Sequence, residues 1–122
     1  MITIRWARVI GLAFALEAAL FAVLVPVQSL LSLRVWFVAV AIGALLLGYI
    51  AGRFAARGLT SQAVLHGLLV GVVATLMYLA LCLIGPGGIP AAVAVYGAPL
   101  YVLNNVLRIA GCLAGAVHQA RG

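Results

Sequence analysis

Residues 8–26 read RVIGLAFALEAALFAVLVP, and this stretch decides the fold. It is long and apolar enough to cross a bilayer, because about 20 such residues in a helix span a hydrocarbon core of about 30 Å. It also contains Glu17, the only acidic residue among 122. An ionised carboxylate facing lipid would cost about 3 kcal/mol or more. Glu17 must therefore be protonated, hydrated or paired with another group.

The composition excludes a soluble globular domain. Hydrophobic residues make up 68% of the chain, charged residues 7%, and the mean hydropathy is +1.36, whereas about a quarter of a soluble domain is charged. The net charge of +6 comes from seven arginines that punctuate apolar runs. They form no basic patch interleaved with exposed aromatic residues, so we expect no nucleic-acid partner. We interpret them as topology anchors.

Four segments of bilayer length indicate an all-α membrane protein with one four-helix domain over residues 1–122, because backbone groups in the bilayer core must be paired within a helix. The predicted helices are about 9–26, 35–52, 63–84 and 98–117. Arginines at positions 5, 8, 53, 57 and 121 fall on one side and Arg34 on the other, which predicts cytoplasmic N and C termini. Residues 85–97 are predicted to form an outer loop with an apolar interfacial piece.

The sequence also predicts an internal repeat. Gly48-Tyr-Ile-Ala-Gly52 matches Gly111-Cys-Leu-Ala-Gly115, and Gly11-Leu-Ala-Phe-Ala15 matches Gly67-Leu-Leu-Val-Gly71. Two hairpins that begin on the same side form a parallel repeat, related by a pseudo-twofold axis along the membrane normal. The same alignment places the start of the last helix near Ala98.

Small residues recur one turn apart on every predicted helix, a pattern that lets helix backbones approach closely in lipid. They are Gly48 and Gly52, Gly67 and Gly71, Gly111 and Gly115, and on the first helix Gly11, Ala15, Ala18 and Ala22. At 100° per residue, Glu17 lies about 120° from the small residues of the first helix. We therefore expect the first helix to contact neighbours on two faces.

The fourth predicted helix carries a polar face that can meet Glu17. Its members are Tyr101, Asn104, Arg108, Gly111 and Gly115, with Asn105 beside them. Glu17 and Arg108 both lie about 13–15 Å from the cytoplasmic ends of their helices, at 1.5 Å per residue. The sequence therefore predicts a Glu17–Arg108 ion pair, with Asn104 and Asn105 satisfying the remaining hydrogen bonds.

Two interpretations of this pair stay open. Ionisable residues inside membranes commonly serve a substrate, an ion or a proton, but a buried pair can also fix which helices meet. A pair that neutralises itself leaves no charge for cargo. The sequence therefore favours a non-enzymatic helix-packing, assembly or accessory subunit, and the alternative is an oligomeric transporter or channel for a small solute, an ion or a proton.

Few side chains in the sequence could act in catalysis or bind a metal or cofactor. The chain has no Asp, and its serines lie in predicted loops away from Glu17, so no triad or carboxylate dyad can be built and we expect no enzyme. His66 and His118 are isolated near the cytoplasmic boundary, and Cys82 and Cys112 lie at different depths. We expect no metal, no cofactor and no disulfide.

Three stretches carry a family resemblance. GYIAGRFAARG followed by VLHGLLVG, and NNVLRIAGCLAG in the last span, together with an acid in the first span, resemble small four-helix bacterial membrane proteins of the YrzE-like type. The resemblance implies a multi-pass protein of the bacterial cytoplasmic (inner) membrane. It implies no activity and carries over no functional residues. The expected partners are membrane lipids and either further copies of the chain or a larger membrane complex.

Overall fold

The computed structural model describes residues 4–30, 32–59 and 62–121, which form helices and short turns without a strand. The helices are α1 Trp6–Val27, α2 Leu33–Ala56, α3 Ala63–Ile84, α4 Gly88–Tyr96 and α5 Ala98–Arg121, with a short 3-10 helix at Gln28–Leu30. Within this part of the chain, α1, α2, α3 and α5 are long and apolar enough to cross a membrane. The prediction of an all-α membrane protein is confirmed.

The helix bounds differ from the predicted spans mainly at the ends. Helix α3 occupies Ala63–Ile84 and α5 begins at Ala98, as predicted, while α2 and α5 continue to Ala56 and Arg121. Those extra turns are less apolar than the spans, so a length estimate from hydropathy ends too early. Arg53 lies in the last turn of α2, and His118 and Arg121 in that of α5, where basic groups complement the helix dipole.

The segment predicted as an outer loop contains helix α4. Gly87 and Gly88 have φ angles of +82° and +65°, a left-handed conformation that glycine adopts without strain and that turns the chain after α3. Pro90 then falls in the first turn of α4, where its missing N–H leaves no helical hydrogen bond unmade. Gly97 has a φ of +81° and separates α4 from α5. The apolar run between these glycines is therefore a two-turn helix.

The four long helices form a bundle in which α1 and α5 occupy opposite corners. Helix α5 packs most extensively on α2 and also on α3, and α1 packs on the same two helices. Helices α2 and α3 also contact one another. The centre of the bundle, between α2 and α3, is consequently where side chains of α1 and α5 can meet.

Helices α2 and α5 cross with their backbones in direct contact, because glycines face the opposite main chain. A Cβ atom on each glycine would touch or overlap a carbonyl oxygen: Gly48 that of Arg108, Gly52 that of Cys112, Gly111 that of Leu45, and Gly115 that of Tyr49. The contacts are reciprocal between the two helices. Small residues one turn apart thus permit a close approach that any larger side chain would prevent.

Helix α3 packs on the other side of α5 in the same way. A Cβ atom on Gly71 would lie 2.8 Å from Ile109 Cα, and one on Gly67 would lie 2.8 Å from Cys112 O. Cys112 is consequently 0% exposed. Helix α5 is held between α2 and α3 by glycine faces on both sides, which places Arg108 one turn above the closest contact.

Helix α1 packs by one face within the chain, and the expectation of two packed faces is wrong for the isolated bundle. Its buried residues are Val9, Ala13, Leu16, Glu17, Leu20 and Leu24. Its small residues, Gly11, Ala15, Ala18 and Ala22, are exposed, and a Cβ atom on Gly11 would have no neighbour within 4 Å. The leucine-rich face fills the space against α2 and α3, which leaves the small face on the outside.

His66 lies in the first turn of α3 and is buried within the bundle. It is 1% exposed, its Nε2 accepts a hydrogen bond from the Arg5 backbone N at 3.1 Å, and its Nδ1 lies 2.8 Å from Gln62 O. Since Nε2 accepts and Nδ1 faces a carbonyl, the neutral ring with its proton on Nδ1 satisfies both contacts. His66 therefore fastens the chain before α1 to the start of α3.

Trp36 joins α2 to the end of α1. Its indole Nε1 donates to Leu24 O at 2.9 Å, one of the last four carbonyls of α1, which lack regular helical partners. We expect Trp36→Phe to lower the free energy of unfolding in micelles by about 1 kcal/mol, since it removes one hydrogen bond. Trp6→Phe is the matched control, because Trp6 is 52% exposed. Equal losses in the two variants would contradict the assigned role of the indole N–H.

Candidate functional site: the intramembrane polar cluster

Glu17 and Arg108 meet in the centre of the bundle. Arg108 Nε donates to Glu17 Oε1 at 2.7 Å, and Arg108 Nη2 approaches Glu17 Oε2 at 3.4 Å. The side chains of Arg108 and Glu17 are 3% and 7% exposed. This two-point contact between a guanidinium and a carboxylate is the geometry that gives the strongest hydrogen bonds between charged side chains.

Asn104 completes the surroundings of the guanidinium within α5. Arg108 Nη1 donates to Asn104 Oδ1 at 2.7 Å, and Asn104 is 1% exposed. The two residues are four apart, so they lie one above the other on the same helix face. All three nitrogen atoms of Arg108 therefore donate to oxygen atoms inside the bundle.

Asn105 does not join this arrangement, which corrects the expectation that both asparagines serve the ion pair. Its Nδ2 donates to Tyr101 O at 3.0 Å, one turn back along α5. Asn105 lies three residues before Arg108, about 60° away around the helix, so its angular position alone does not separate the two. Its amide instead bonds to the backbone of its own helix.

Tyr78 on α3 is a member of the site that the sequence reasoning missed. The guanidinium carbon of Arg108 lies 4.2 Å from the centre of the Tyr78 ring. Such a contact between a cation and an aromatic face contributes about 2 kcal/mol when both are shielded from water. Tyr78 continues the row formed by Gly71 and Ala74 on α3, and all three are buried. The spacing of Gly71, Ala74 and Tyr78 by three and four residues was the sequence pattern that could have placed Tyr78 on the buried face of α3.

Tyr101 lies behind Tyr78 in a second layer. The centroids of the two rings are 5.9 Å apart and their planes are tilted by 40°, an arrangement within the favourable range for aromatic pairs. Tyr101 is 6% exposed. Of the five polar residues singled out in the sequence, Glu17, Asn104 and Arg108 come together directly, and Tyr101 reaches them through Tyr78.

The ion pair links the two opposite corners of the bundle. Helices α1 and α5 each pack on α2 and α3, so the bond between Glu17 and Arg108 runs through the space between those two helices. A contact in this position forces α1 and α5 to face each other at a fixed rotation and depth. Burial of one such pair adds little net stability but specifies which helix faces meet.

A cavity of about 220 Å³ lies against the ion pair, and its walls include Glu17, Arg108, Tyr78 and Trp36. Most of its lining is apolar. Asn104 Nδ2 is buried and has no hydrogen-bond partner within residues 4–30, 32–59 and 62–121. A buried amide N–H₂ normally has a partner, but Asn104 is not one of the residues that line this cavity.

Further titratable side chains lie outside the hydrogen bonds of the cluster, and of these Cys112 is one turn from Arg108 on α5. The Tyr49 hydroxyl hydrogen-bonds His118 Nδ1, which ties the ends of α2 and α5, and Cys82 and Cys112 are free thiols. Among the residues that the structure describes, no group of three or more His, Cys, Asp or Glu side chains is placed to hold a metal ion. The polar cluster can neutralise buried charge, fix the orientation of its side chains and donate hydrogen bonds.

The chain was compared with protein-family models, curated proteins and solved structures. No protein-family model, no curated protein and no solved structure matches the chain.

Proposed function

We propose that this multi-pass membrane protein is a non-enzymatic assembly or accessory subunit of the bacterial cytoplasmic membrane, with both termini in the cytoplasm. The hydrogen bonds of Arg108 carry this proposal. Its nitrogen atoms donate to Glu17 and Asn104, and its guanidinium stacks on Tyr78. Because the buried Arg108 guanidinium is neutralised and bonded inside the chain, it is suited to hold helices in place rather than to receive cargo.

The small face of α1, defined by Gly11, Ala15, Ala18 and Ala22, is the surface proposed to meet a partner helix. The glycine pairs of α2, α3 and α5 are already used inside the chain, so they cannot also mediate self-association. The residues of the α1 small face are exposed. Small residues one turn apart favour close helix contact in lipid, which supports either a second copy or a larger membrane complex as the partner.

The reciprocal contacts between α2 and α5 support the proposed parallel duplication. Gly48 faces Arg108 O as Gly111 faces Leu45 O, which is the relation that a pseudo-twofold axis between the two helices would produce. Leu45 then occupies the position that corresponds to Arg108. The ion pair consequently occurs once, with Glu17 in the first hairpin and Arg108 in the second. The resemblance to YrzE-like proteins supports the bacterial membrane and names no activity.

The assembly role is tested by adding bulk to the small face of α1. We expect Ala15→Leu/Ala18→Leu to dissociate the native complex while the bundle stays folded, since both positions are exposed. Native mass spectrometry of protein released directly from membranes reports the copy number and any partner. Ala110→Leu is the matched control, because Ala110 is an exposed alanine on α5. A wild-type chain that is monomeric and unaccompanied in membranes would refute the assembly role.

The second candidate is an oligomeric transporter or channel, and the cavity beside the ion pair favours it. The cavity of about 220 Å³ reaches both charged groups, and Asn104 Nδ2 has no partner in the described part of the chain. A transport role requires flux of an ion, a proton or a small solute in proteoliposomes. It also requires that Asn104→Leu stop the flux without unfolding the bundle. Absence of flux under an imposed gradient would leave the assembly role.

A further inference from the structure

The distribution of charge at one end of the bundle cannot be balanced by the chain itself. Of seven arginines, Arg108 takes the single carboxylate side chain, which leaves six without an acidic partner. Five of them lie at the end of the bundle where α1 and α3 begin and α2 and α5 finish: Arg5, Arg8, Arg53, Arg57 and Arg121. We call this the arginine-rich end. Its counter-charge must come from another molecule.

Two grooves at the arginine-rich end combine guanidinium groups with apolar walls. The first, of about 410 Å³, runs between α1 and α2 and is lined by Ala7, Arg8, Gly11, Leu12, Phe54 and Arg57. The second, of about 380 Å³, runs between α2 and α5 and is lined by Tyr49, Ile50, Arg53, Phe54, Arg57 and Gln119. Both volumes fall in the range of small-molecule sites. Phe54 and Arg57 form the ridge shared by the two grooves.

The arginines that line the grooves are held in position by neutral groups. Arg8 Nη1 donates to Arg57 O at 2.8 Å and to Ala55 O at 3.3 Å. Arg53 Nε donates to Gln119 Oε1 at 3.1 Å. The guanidinium carbon of Arg57 lies 5.9 Å from the centre of the Phe54 ring. These contacts use at most two of the five N–H groups on each guanidinium, and the partners named here are uncharged.

This combination fits one class of ligand. Guanidinium groups bind phosphate oxygens through two parallel hydrogen bonds, and basic pockets between membrane helices recognise anionic headgroups. Phe54 is 49% exposed and Ile50 is 50% exposed, which provides apolar surface directly beside the charges. We propose that the arginine-rich end binds an anionic glycerophospholipid, with its phosphodiester on Arg53 and Arg57 and its acyl chains along the apolar walls of the grooves.

Binding is tested by native mass spectrometry of the purified full-length chain in micelles, titrated with phosphatidylglycerol or with phosphatidylcholine of identical acyl chains. We expect tighter binding of phosphatidylglycerol. Arg53→Gln/Arg57→Gln should weaken that binding about 30-fold. Each arginine contributes about 1 kcal/mol to binding an anionic headgroup, and about 1.4 kcal/mol corresponds to a tenfold change in affinity. Arg5→Gln/Arg121→Gln is the matched control, because it removes the same charge from the same end but no residue lining either groove. It should change binding less than about threefold.

Three results would overturn the proposal. Equal affinity for the two lipids would show that the phosphodiester charge is not recognised, and equal losses in the two double variants would show a diffuse charge effect without a site. Displacement of phosphatidylglycerol by millimolar inorganic phosphate or glycerol 3-phosphate would assign the site to a soluble phosphate. Circular dichroism verifies folding of each variant. If Arg53→Gln/Arg57→Gln fails to fold, Arg57→Gln against Arg121→Gln makes the same comparison with one charge.

Discussion

Replacing Glu17 by alanine is expected to destabilise the bundle more than replacing Arg108 by alanine, although the two residues form one ion pair. Glu17→Ala leaves a buried guanidinium that cannot lose its proton, and we expect a loss of about 3–5 kcal/mol in unfolding free energy. Arg108→Ala leaves a carboxyl group that can become neutral by binding a proton, with an expected loss of about 1–3 kcal/mol. Equilibrium unfolding in mixed micelles measures both.

A double replacement distinguishes the net contribution of the ion pair to stability from the cost of leaving one charged partner unpaired. Glu17→Leu/Arg108→Met removes both charges and keeps the volume, so its stability should lie closer to the wild type than that of Glu17→Ala. Val106→Ala is the control for an ordinary truncation on α5, since Val106 is 52% exposed. Equal losses in the two single alanine variants, or a double variant worse than both, would contradict the pairing of the two charges as the reason for the effect.

The contact between Glu17 and Arg108 could be anticipated because a helix converts residue number into depth and rotation. A rise of 1.5 Å and a turn of 100° per residue place both side chains at the same level and Asn104 on the same face as Arg108. The same rule puts Asn105 only about 60° from Arg108, so it could not reveal that the Asn105 amide bonds to Tyr101 O instead. Tyr78 was missed because an aromatic residue in an apolar helix provides no contrast in polarity.

The sequence predicts that the Glu17 face of α1 packs inside the chain, but it could not decide whether the small face packs there as well. In water, the apolar face of a helix is the buried one, but in lipid both faces are apolar and the hydrophobic effect does not choose between them. We expected the small face and the Glu17 face of α1 both to pack, and the structure buries the Glu17 face with its leucines. The steric fit of α1 against α2 and α3 decides which face packs, and this fit depends on the relative positions of all three helices.

Glycine-to-alanine substitutions at the crossing of α2 and α5 are expected to lower stability by amounts that increase with the steric overlap of the added methyl group. The largest loss is expected at Gly52. A Cβ atom on Gly11 would meet no atom within 4 Å, one on Gly48 would lie 3.1 Å from Arg108 O, and one on Gly52 would overlap Cys112 O. The obstacle at Gly52 is main chain, which no change of rotamer can move. We therefore expect Gly52→Ala to lower the unfolding free energy by about 3 kcal/mol, at the upper end for overpacking, and Gly48→Ala by less.

The symmetry of the crossing gives this series its strictest test. Gly115 faces Tyr49 O as Gly52 faces Cys112 O, so Gly115→Ala should be as harmful as Gly52→Ala. Once one methyl group has separated the helices, the second meets less resistance, and the double variant should lose less stability than the sum of the two single variants. Gly11→Ala is the control and should be neutral. Strict additivity, or a loss at Gly52 no larger than at Gly11, would mean that α2 and α5 do not touch through these glycines.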